Sequence, residues 1–182
     1  MADGSIFRLT NPEIYVVTTA QGDQLAGQVA TWVTLATLVP DSPRVIVVLS
    51  PHTHTSSLLQ ASQSFVLNML ADDQEDFLES FGLRSGFKRD KFADIQLTRT
   101  ESGLPVLPET CGWALCKVAQ SIDVGDRIIW IADVVKQSVN PDKQPLRRVE
   151  GLNALPDEIR QELLQQRLAD IERDRPLRNP SS

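Results

Sequence analysis

The chain has 182 residues, of which 41% are hydrophobic and 23% are charged, and its formal net charge at pH 7 is −6. This length and composition predict one folded domain with a substantial core and a short appendage. The acidic balance argues against binding nucleic acid by neutralising its backbone, and no apolar run approaches the roughly 20 residues that span a membrane. The first residues lack the basic stretch and apolar run of a secretory signal, so we expect a cytoplasmic protein.

Strand patterns dominate the first part of the chain. The β-branched and aromatic residues of Ile14–Thr19 predict a strand, Gln21–Gln24 predicts a turn, and Leu25–Leu38 continues as extended chain. Pro40–Pro43 breaks this extended chain. The apolar run Arg44–Leu49 that follows is typical of a strand covered on both faces.

Two short helices are predicted on either side of the next strand, Ser64–Leu70. Thr55–Ser57 offers N-caps for the first, which we expect to extend through about Ser62. The second is predicted over Phe77–Phe81. Its expected signals are a capping box of Asp72 with Glu75 and a C-terminal glycine, Gly82.

The second half of the chain predicts further strands and one tight hairpin. Phe92–Arg99 is a weak strand, and Gly103–Pro108 is a loop. Trp113–Ser121 and Ile128–Val135 flank the turn Asp123–Asp126 and predict a hairpin. Regularly spaced strands with a tight hairpin favour a closed or nearly closed barrel over a parallel sheet. The glycine motifs of Rossmann and P-loop proteins are missing from the sequence.

The character of the chain changes after Val139, which divides it into a domain over 1–139 and a C-terminal part over 140–182. Asn140–Lys143 resembles a linker, and Pro156–Glu158 has the residues that begin a helix, which Pro176 is expected to end. An apolar stripe runs along this helix. The stripe consists of Ile159, Leu163, Leu164, Leu168 and Ile171. It must bury against the barrel or against a partner subunit, and the tail after Asn179 is expected to be disordered.

The cysteines and histidines do not predict a metal site. Cys111 and Cys116 are separated by an odd number of positions within one apparent strand, so they are expected to point to opposite faces as buried thiols. His52 and His54 would share a face of extended chain. Because no Asp, Glu or Cys lies near them in the sequence, we predict no metal there.

Six segments together resemble the flavin reductase-like, FMN-binding split-barrel family over roughly residues 11–135. They are IYVVTT at Ile14–Thr19, G-x-x-A-T-W-V-T at Gly27–Thr34, SFVLNML at Ser64–Leu70, SGFKRDKFA at Ser85–Ala93, SGLPVL at Ser102–Leu107 and GDRIIWIADV at Gly125–Val134. The chain is particularly similar to the reductase modules of cyanobacterial diflavin proteins. The resemblance implies a mainly β fold, namely a split β-barrel with short inserted helices and a C-terminal helix.

The resemblance also implies where FMN, or alternatively FAD, would bind. The implied contacts to the isoalloxazine ring and ribityl chain are Thr31, Trp32, Val33 and Thr34. The implied phosphate corner is Ser50–Thr55, with Ser50, Thr53, His54 and Thr55 as its binding residues. A basic loop that closes over the flavin in the family, often from the other subunit, supplies Lys91 and, second, Lys88.

Three residues in these segments keep a plainer interpretation beside the functional one. Trp32 is equally consistent with a core or interface aromatic residue, and His54 with a solvated loop histidine. Asn68 is better explained as a core residue that satisfies backbone groups.

The chain departs from the family where many members read Gly-Asp-His, because it has Arg127 after Gly125 and Asp126. An arginine cannot titrate near neutral pH, although it can pair with a phosphate or carboxylate, so Arg127 is a weak catalytic candidate. The resemblance implies an oxidoreductase that passes electrons from NADH or NADPH to flavin and on to an acceptor, which could be a protein. It also implies a homodimer. The alternative is a flavin-binding electron carrier without nicotinamide reactivity, which the arginine favours.

Overall fold

A computed structural model describes residues 5–83 and 90–178. Its main feature is one seven-stranded, fully antiparallel sheet with the strand order β2-β1-β5-β8-β9-β4-β3. The strands of this sheet are β1 Tyr15–Gln21, β2 Gln24–Ala30, β3 Val33–Leu35, β4 Arg44–Leu49, β5 Ser64–Met69, β8 Gly112–Asp123 and β9 Ile128–Val139. A separate two-stranded ladder pairs β6 Thr98–Arg99 with β7 Pro105–Val106.

The sheet curls into a half-barrel because its two edge strands are consecutive in the chain. Only Thr31 and Trp32 separate β2 from β3. At this bend the Val48 N–H of β4 donates to the Trp32 carbonyl at 3.0 Å, so the edge beyond β2 is brought against the opposite side of the sheet. The predicted split β-barrel is therefore confirmed.

Buried side chains alternate across β1 and form two separate cores. Val17 packs in the barrel interior with Phe65 and Trp130. Its neighbour Val16 packs in a second core outside the sheet, with Phe81. Both faces of β1 are covered, so Thr18 and Thr19 are fully buried as well, and their hydroxyls donate to the carbonyls of Pro105 and Ser64.

The bounds of β4 match the prediction residue for residue. The prediction that both faces of this strand are covered was too strong. Val45, Val47 and Leu49 are buried in the barrel, whereas Ile46 and Val48 on the other face are only half-buried. An apolar run by itself does not distinguish a strand with two covered faces from one with a single fully covered face.

The helix α1, His54–Ser62, ends where predicted and begins slightly earlier. Its N-cap is Thr53, and not the run from Thr55 onward. The second predicted helix is reduced to α2, Asp76–Leu78, followed by a π-helical turn over Glu79–Leu83. The expected capping box is wrong because the N-cap of α2 makes no side-chain hydrogen bond. Gly82 is wrong as a C-terminal cap because it lies within the π-helical turn.

Two more local predictions were wrong in detail. Most of Phe92–Arg99 is irregular, and only Thr98 and Arg99 are extended. Their partner strand β7 lies within Gly103–Pro108, which the sequence predicts to be a loop. The hairpin of β8 and β9 is confirmed, with the Val124 N–H donating to the Arg127 carbonyl at 2.9 Å across its tip.

The segment after β9 is attached to the ends of β1 and β5. The Ile14 N–H donates to the Leu146 carbonyl, and the Leu146 N–H donates to the Leu70 carbonyl, each at 2.9 Å. An unpredicted helix, α3 Arg148–Ala154, follows. These hydrogen bonds hold 144–147 against the barrel, and the division into domains at residue 139 stays a prediction.

The C-terminal helix α4, Asp157–Arg178, begins as predicted, but it continues through Pro176 to the end of the described chain. Its apolar stripe is divided between two environments. Ile159 and Leu163 pack on the second core. The other members of the stripe are exposed: Leu164, Leu168 and Ile171. The predicted disordered tail, 179–182, lies outside the described residues.

The predictions for the cysteines and for Asn68 can be checked directly. Cys116 is a buried free thiol in β8, and Cys111 is a buried free thiol just before that strand, so the two do not share a strand. The Asn68 amide donates to the Val16 carbonyl at 3.0 Å and accepts from the Leu107 N–H at 2.9 Å, which confirms its role in the core. No helix within 5–83 and 90–178 is long and apolar enough to cross a membrane.

Candidate functional site

A hydroxyl-rich corner joins the end of β4 to the start of α1. The Thr53 hydroxyl accepts from the Ser56 N–H at 3.1 Å and so caps the helix. The Ser56 hydroxyl donates to the Ser50 carbonyl at 2.6 Å, and the Ser50 hydroxyl accepts from the His52 N–H at 3.4 Å. These short contacts fold the chain tightly at the helix N-terminus, the end of a helix that favours anions.

The structure brings the four predicted phosphate residues into this corner, with different exposure. Ser50, Thr53 and His54 are half-buried, whereas Thr55 is buried. Ser56, which the sequence analysis left out of the site, is also buried and makes the shortest of the corner's hydrogen bonds. The sequence feature that could have identified Ser56 is its position three residues after Thr53, the N-cap of α1.

The predicted ring contacts lie at the bend between β2 and β3. Thr31 and Trp32 form the bend itself, and Val33 and Thr34 begin β3. Val33 packs against the barrel core, Thr34 is exposed, and Trp32 is 55% exposed. Trp32 is therefore not a core residue.

The bend and the corner are parts of one edge of the barrel. β3 pairs with β4, with Val33 opposite Val47. Trp32 is hydrogen-bonded to Val48, which is two residues before Ser50. The bend is therefore hydrogen-bonded to the end of β4, the strand that leads into the corner.

Arg127, at the tip of the β8–β9 hairpin, lies against the same bend. Its guanidinium carbon is 5.6 Å from the centroid of the Trp32 ring, within the range of a cation–π contact. Its Nη1 donates to a carboxylate oxygen of Asp174 in α4 at 2.6 Å. Asp174 is not predicted from the sequence, since no local pattern relates residues 47 positions apart.

The structure places Lys91 away from the corner. Lys91 Nζ donates to the Gly27 carbonyl at 2.9 Å and to the Phe81 carbonyl at 3.2 Å, on the second-core side of β2. Burial lowers the pKa of Lys91 to about 8. Since α1 packs on the barrel-interior side, Lys91 is not brought to the corner within one chain. Lys88 lies outside the described residues.

Gln28 is a further residue that the sequence analysis missed. It is only 9% exposed, and its Oε1 has no hydrogen-bond partner among the residues described. By strand alternation its side chain shares a face of β2 with Ala30, which packs in the barrel interior with Leu59 of α1. A buried acceptor beside the first helix can receive a hydrogen bond from a ligand or a water.

A shallow depression lies elsewhere, in the loop between β3 and β4. It has a volume of about 260 Å³ and is lined by Ala36, Thr37, Val39, Ser42 and Arg44. None of these residues belongs to the predicted flavin site. The candidate site is thus an open edge of the barrel, which a second surface would have to cover.

Comparison with known proteins assigns the chain to a family. The chain belongs to the flavin reductase-like family, because the family model described as "Flavin reductase like domain" matches residues 7–151. The match includes the corner, the bend and the hairpin. It does not include α4.

Individual proteins agree with this assignment. The chain is 32% identical over 135 residues to a high molecular weight rubredoxin of Moorella thermoacetica, covering 73% of this chain and 58% of that protein. It is 27% identical over 143 residues to diflavin flavoprotein A 1 of Synechocystis, covering 78% of this chain and 23% of that protein. The chain thus spans little more than half of the first relative and about a quarter of the second.

A solved structure shares the fold. It is the NADH:FAD oxidoreductase of Streptomyces globisporus C-1027, with a TM-score of 0.69 and 20% identity, covering 76% of this chain and 81% of that one. At this level of identity the likeness establishes the split barrel and not the chemistry.

Proposed function

We propose that the chain is an FMN-binding, flavin reductase-like oxidoreductase that transfers electrons from NADH or NADPH to flavin and on to an acceptor. One observation carries the proposal: the exposed Trp32 bend adjoins the hydroxyl-rich start of α1 along the β3–β4 ladder. Family membership supports it. So does the shared fold of a protein named as a NADH:FAD oxidoreductase.

The residues present fit the two chemically different ends of FMN. The bend offers an aromatic side chain and backbone groups for the ring and ribityl chain, through Thr31, Trp32, Val33 and Thr34. The corner offers hydroxyls and a helix N-terminus for the phosphate, through Ser50, Thr53, His54 and Thr55. When bound, the flavin supplies the electron-transfer chemistry, and these residues bind and orient it. FAD is the alternative flavin.

The second candidate function is a flavin-binding electron carrier that does not react with nicotinamides. The observation that favours it is the ion pair of Arg127 with Asp174, because a guanidinium held by a carboxylate cannot serve as a titrating acid. Hydride transfer to flavin needs alignment more than a protein acid, so we place this candidate second.

We further propose a homodimer in the cytoplasm and an electron-acceptor protein as partner. Large apolar side chains stand exposed in succession after the bend, at Leu35, Leu38 and Val39. Exposed apolar patches mark interfaces, and a second copy seated here would cover the open edge of the site. In such a dimer Lys88 and Lys91 would approach the flavin of the partner subunit.

An absorption spectrum of the purified protein, followed by anaerobic addition of NADH and then NADPH, tests the proposal. The expected result is a flavin spectrum, as isolated or after adding FMN, that bleaches faster than the free-flavin background. A flavin spectrum that nicotinamides do not bleach would establish the carrier instead. A colourless protein whose melting temperature does not rise with FMN would exclude both, because a ligand bound by the native state must raise apparent stability.

A further inference from the structure

Helix α4 contacts both the π-helical turn and the hairpin tip, although it lies beyond the residues that the family model matches. Near its middle, the Gln166 amide donates to the Gly82 carbonyl at 3.2 Å. Near its end, the Leu177 carbonyl oxygen would be 2.9 Å from a Cβ added at Gly125. The backbone φ of Gly125 is +92°, so its conformation favours glycine in addition to the close Leu177 carbonyl. The last turn of α4 is therefore packed closely on the hairpin tip.

Asp174 is the buried charge in this contact. It is 4% exposed, and its two carboxylate oxygens accept from Arg127 Nη1 at 2.6 Å and from Arg173 Nε at 2.7 Å. Burial acts to raise the pKa of Asp174, but the hydrogen bonds and charges of Arg173 and Arg127 outweigh it, so the pKa lies below its ordinary value. A buried carboxylate with two arginine partners is ionised and fixed in direction.

Arg127 is held by one of its three guanidinium nitrogens. Nη1 bonds Asp174 and also donates to the Asp126 carbonyl at 2.5 Å. Across 5–83 and 90–178, no acceptor bonds its Nε or Nη2. The guanidinium carbon also lies 5.6 Å from the centroid of the Trp32 ring. The group is thus held through Nη1 beside this ring, with donors left for a planar or tetrahedral anion.

The charges around Arg127 are balanced by ion pairs. The groups that face it are the carboxylates of Asp126 and Asp174, and the guanidiniums of Arg173 and Arg178 pair with these same carboxylates. Arg173 also pairs with Asp170, so with Arg127 the cluster holds three positive and three negative charges. The remaining N–H donors of Arg127, and no excess of positive charge, are therefore what the cluster offers to an anion.

We infer that Asp174 is a positioning residue, which holds Arg127 against Trp32 so that the remaining guanidinium N–H groups can bind the phosphate of a nucleotide lying at the bend. The inference rests on the proposed function and assigns α4 to the nucleotide site. FMN and the nicotinamide dinucleotides share this chemistry, an aromatic ring with an attached phosphate. For FMN the phosphate would lie between the corner and Arg127, because Leu49 and Ile128, the chain neighbours of Ser50 and Arg127, pair with each other.

Isothermal titration calorimetry on the full chain distinguishes a positioning role of Asp174 from a purely stabilising one. FMN is titrated first, and NAD⁺ and NADP⁺ are then titrated into FMN-loaded protein, so that no turnover occurs. The variants are Asp174→Asn, Arg127→Gln and their combination. The matched control is Glu172→Gln, which removes an exposed carboxylate paired with Arg175 on the same turn of α4.

We expect Asp174→Asn to weaken the binding of at least one of these nucleotides about tenfold, as for the loss of one charge-assisted hydrogen bond. Arg127→Gln should do the same, and Asp174→Asn should add no further loss in the Arg127→Gln background. Glu172→Gln should bind like wild type. If Asp174→Asn weakens nucleotide binding equally in the wild-type and Arg127→Gln backgrounds, or in neither, the inference is overturned.

If Asp174→Asn fails to fold, two other results still test the inference. Arg127→Lys keeps the charge but cannot bond Asp174 and an anion through separate rigid nitrogens, so it should bind as weakly as Arg127→Gln. Wild-type affinity in Arg127→Lys would overturn the positioning role. A wild-type chain that binds none of the three nucleotides would overturn the proposed function and this inference together, which distinguishes that failure from the others.

Discussion

Lys91 Nζ donates a hydrogen bond at 2.9 Å to the carbonyl of Gly27, a residue that lies 64 positions earlier in the chain. The same ammonium lies 5.8 Å from the centroid of the Phe81 ring. This cation is partly buried against backbone and an aromatic ring. The pH dependence of stability should report that environment.

The contribution of Lys91 to stability is expected to increase with pH. Burial lowers its pKa from the ordinary 10.5 to about 8, so between these values the unfolded chain binds more protons than the folded one. The stability contributed by Lys91 should therefore rise from about pH 8 to about pH 10. The melting temperature of wild type, minus that of Lys91→Met, measures this change.

The difference between the two melting temperatures is needed because other groups make the stability fall as the pH rises. Burial raises the pKa of Cys116 to about 12, so the unfolded chain loses this thiol proton first and stability falls with rising pH. Lys117→Met, at an exposed lysine, serves as the control. A wild-type minus Lys91→Met difference that stays flat across the window would contradict the prediction.

Gly27→Ala should destabilise the protein by about 1–3 kcal/mol, the usual cost of overpacking a core. An added Cβ would be 2.8 Å from Phe81 Cε1 and 3.2 Å from Phe92 Cζ, and both rings are buried. Urea denaturation measures the change. Gly82→Ala is the control, because its Cβ would meet the flexible end of Leu163 at 3.3 Å and Val29 Cγ2 at an ordinary contact distance of 3.8 Å. Adding Phe81→Leu should recover part of the loss, and its failure to do so would argue against a steric cause.

Thr53→Ala should lower the free energy of unfolding by about 1 kcal/mol, because it removes the side-chain acceptor for the Ser56 N–H at the start of α1. Thr53→Ser keeps a hydroxyl and should stay near wild type. If the corner binds the flavin phosphate, Thr53→Ala should also reduce the rise in melting temperature that FMN produces. Indistinguishable Ala and Ser variants would rule out the cap as a significant stabiliser.

Gln28→Met should raise the free energy of unfolding of flavin-free protein by about 1 kcal/mol, because it removes a buried acceptor without a described partner. The side chains are similar in size, so the cavity is preserved. Gln24→Met, at an exposed position of the same strand, is the control. A loss of stability in Gln28→Met would indicate that a bound water already satisfies the amide.

Much of the barrel was predictable because its signals are local. β4 matches its prediction residue for residue, and the hairpin around Gly125 was found from its turn residues. Asn68 was assigned to the core correctly, since a polar residue inside an apolar strand must satisfy backbone groups. The order of the six motifs along the chain predicted the family correctly.

The failures share a different cause. The capping box near Asp72 and the stop at Pro176 were read from local rules that tertiary contacts override. Helix α4 continues past Pro176, and its last turn is packed on the hairpin through Asp174 and Leu177. Those contacts stabilise a turn that isolated helix propensity would not.

The sequence by itself determined most strands of the main sheet, the family and the hydroxyl-rich segment before α1, because periodicity, turn chemistry and ordered motifs are properties of neighbouring positions. The predicted extended chain Leu25–Leu38 is instead divided by the bend at Thr31 and Trp32. Only the tertiary structure decided that Lys91 serves the Gly27 carbonyl and that Asp174 reaches Arg127. Such pairs are set by how the sheet curls and where α4 lies across it. No spacing along the chain encodes the distance between two groups that folding alone brings together.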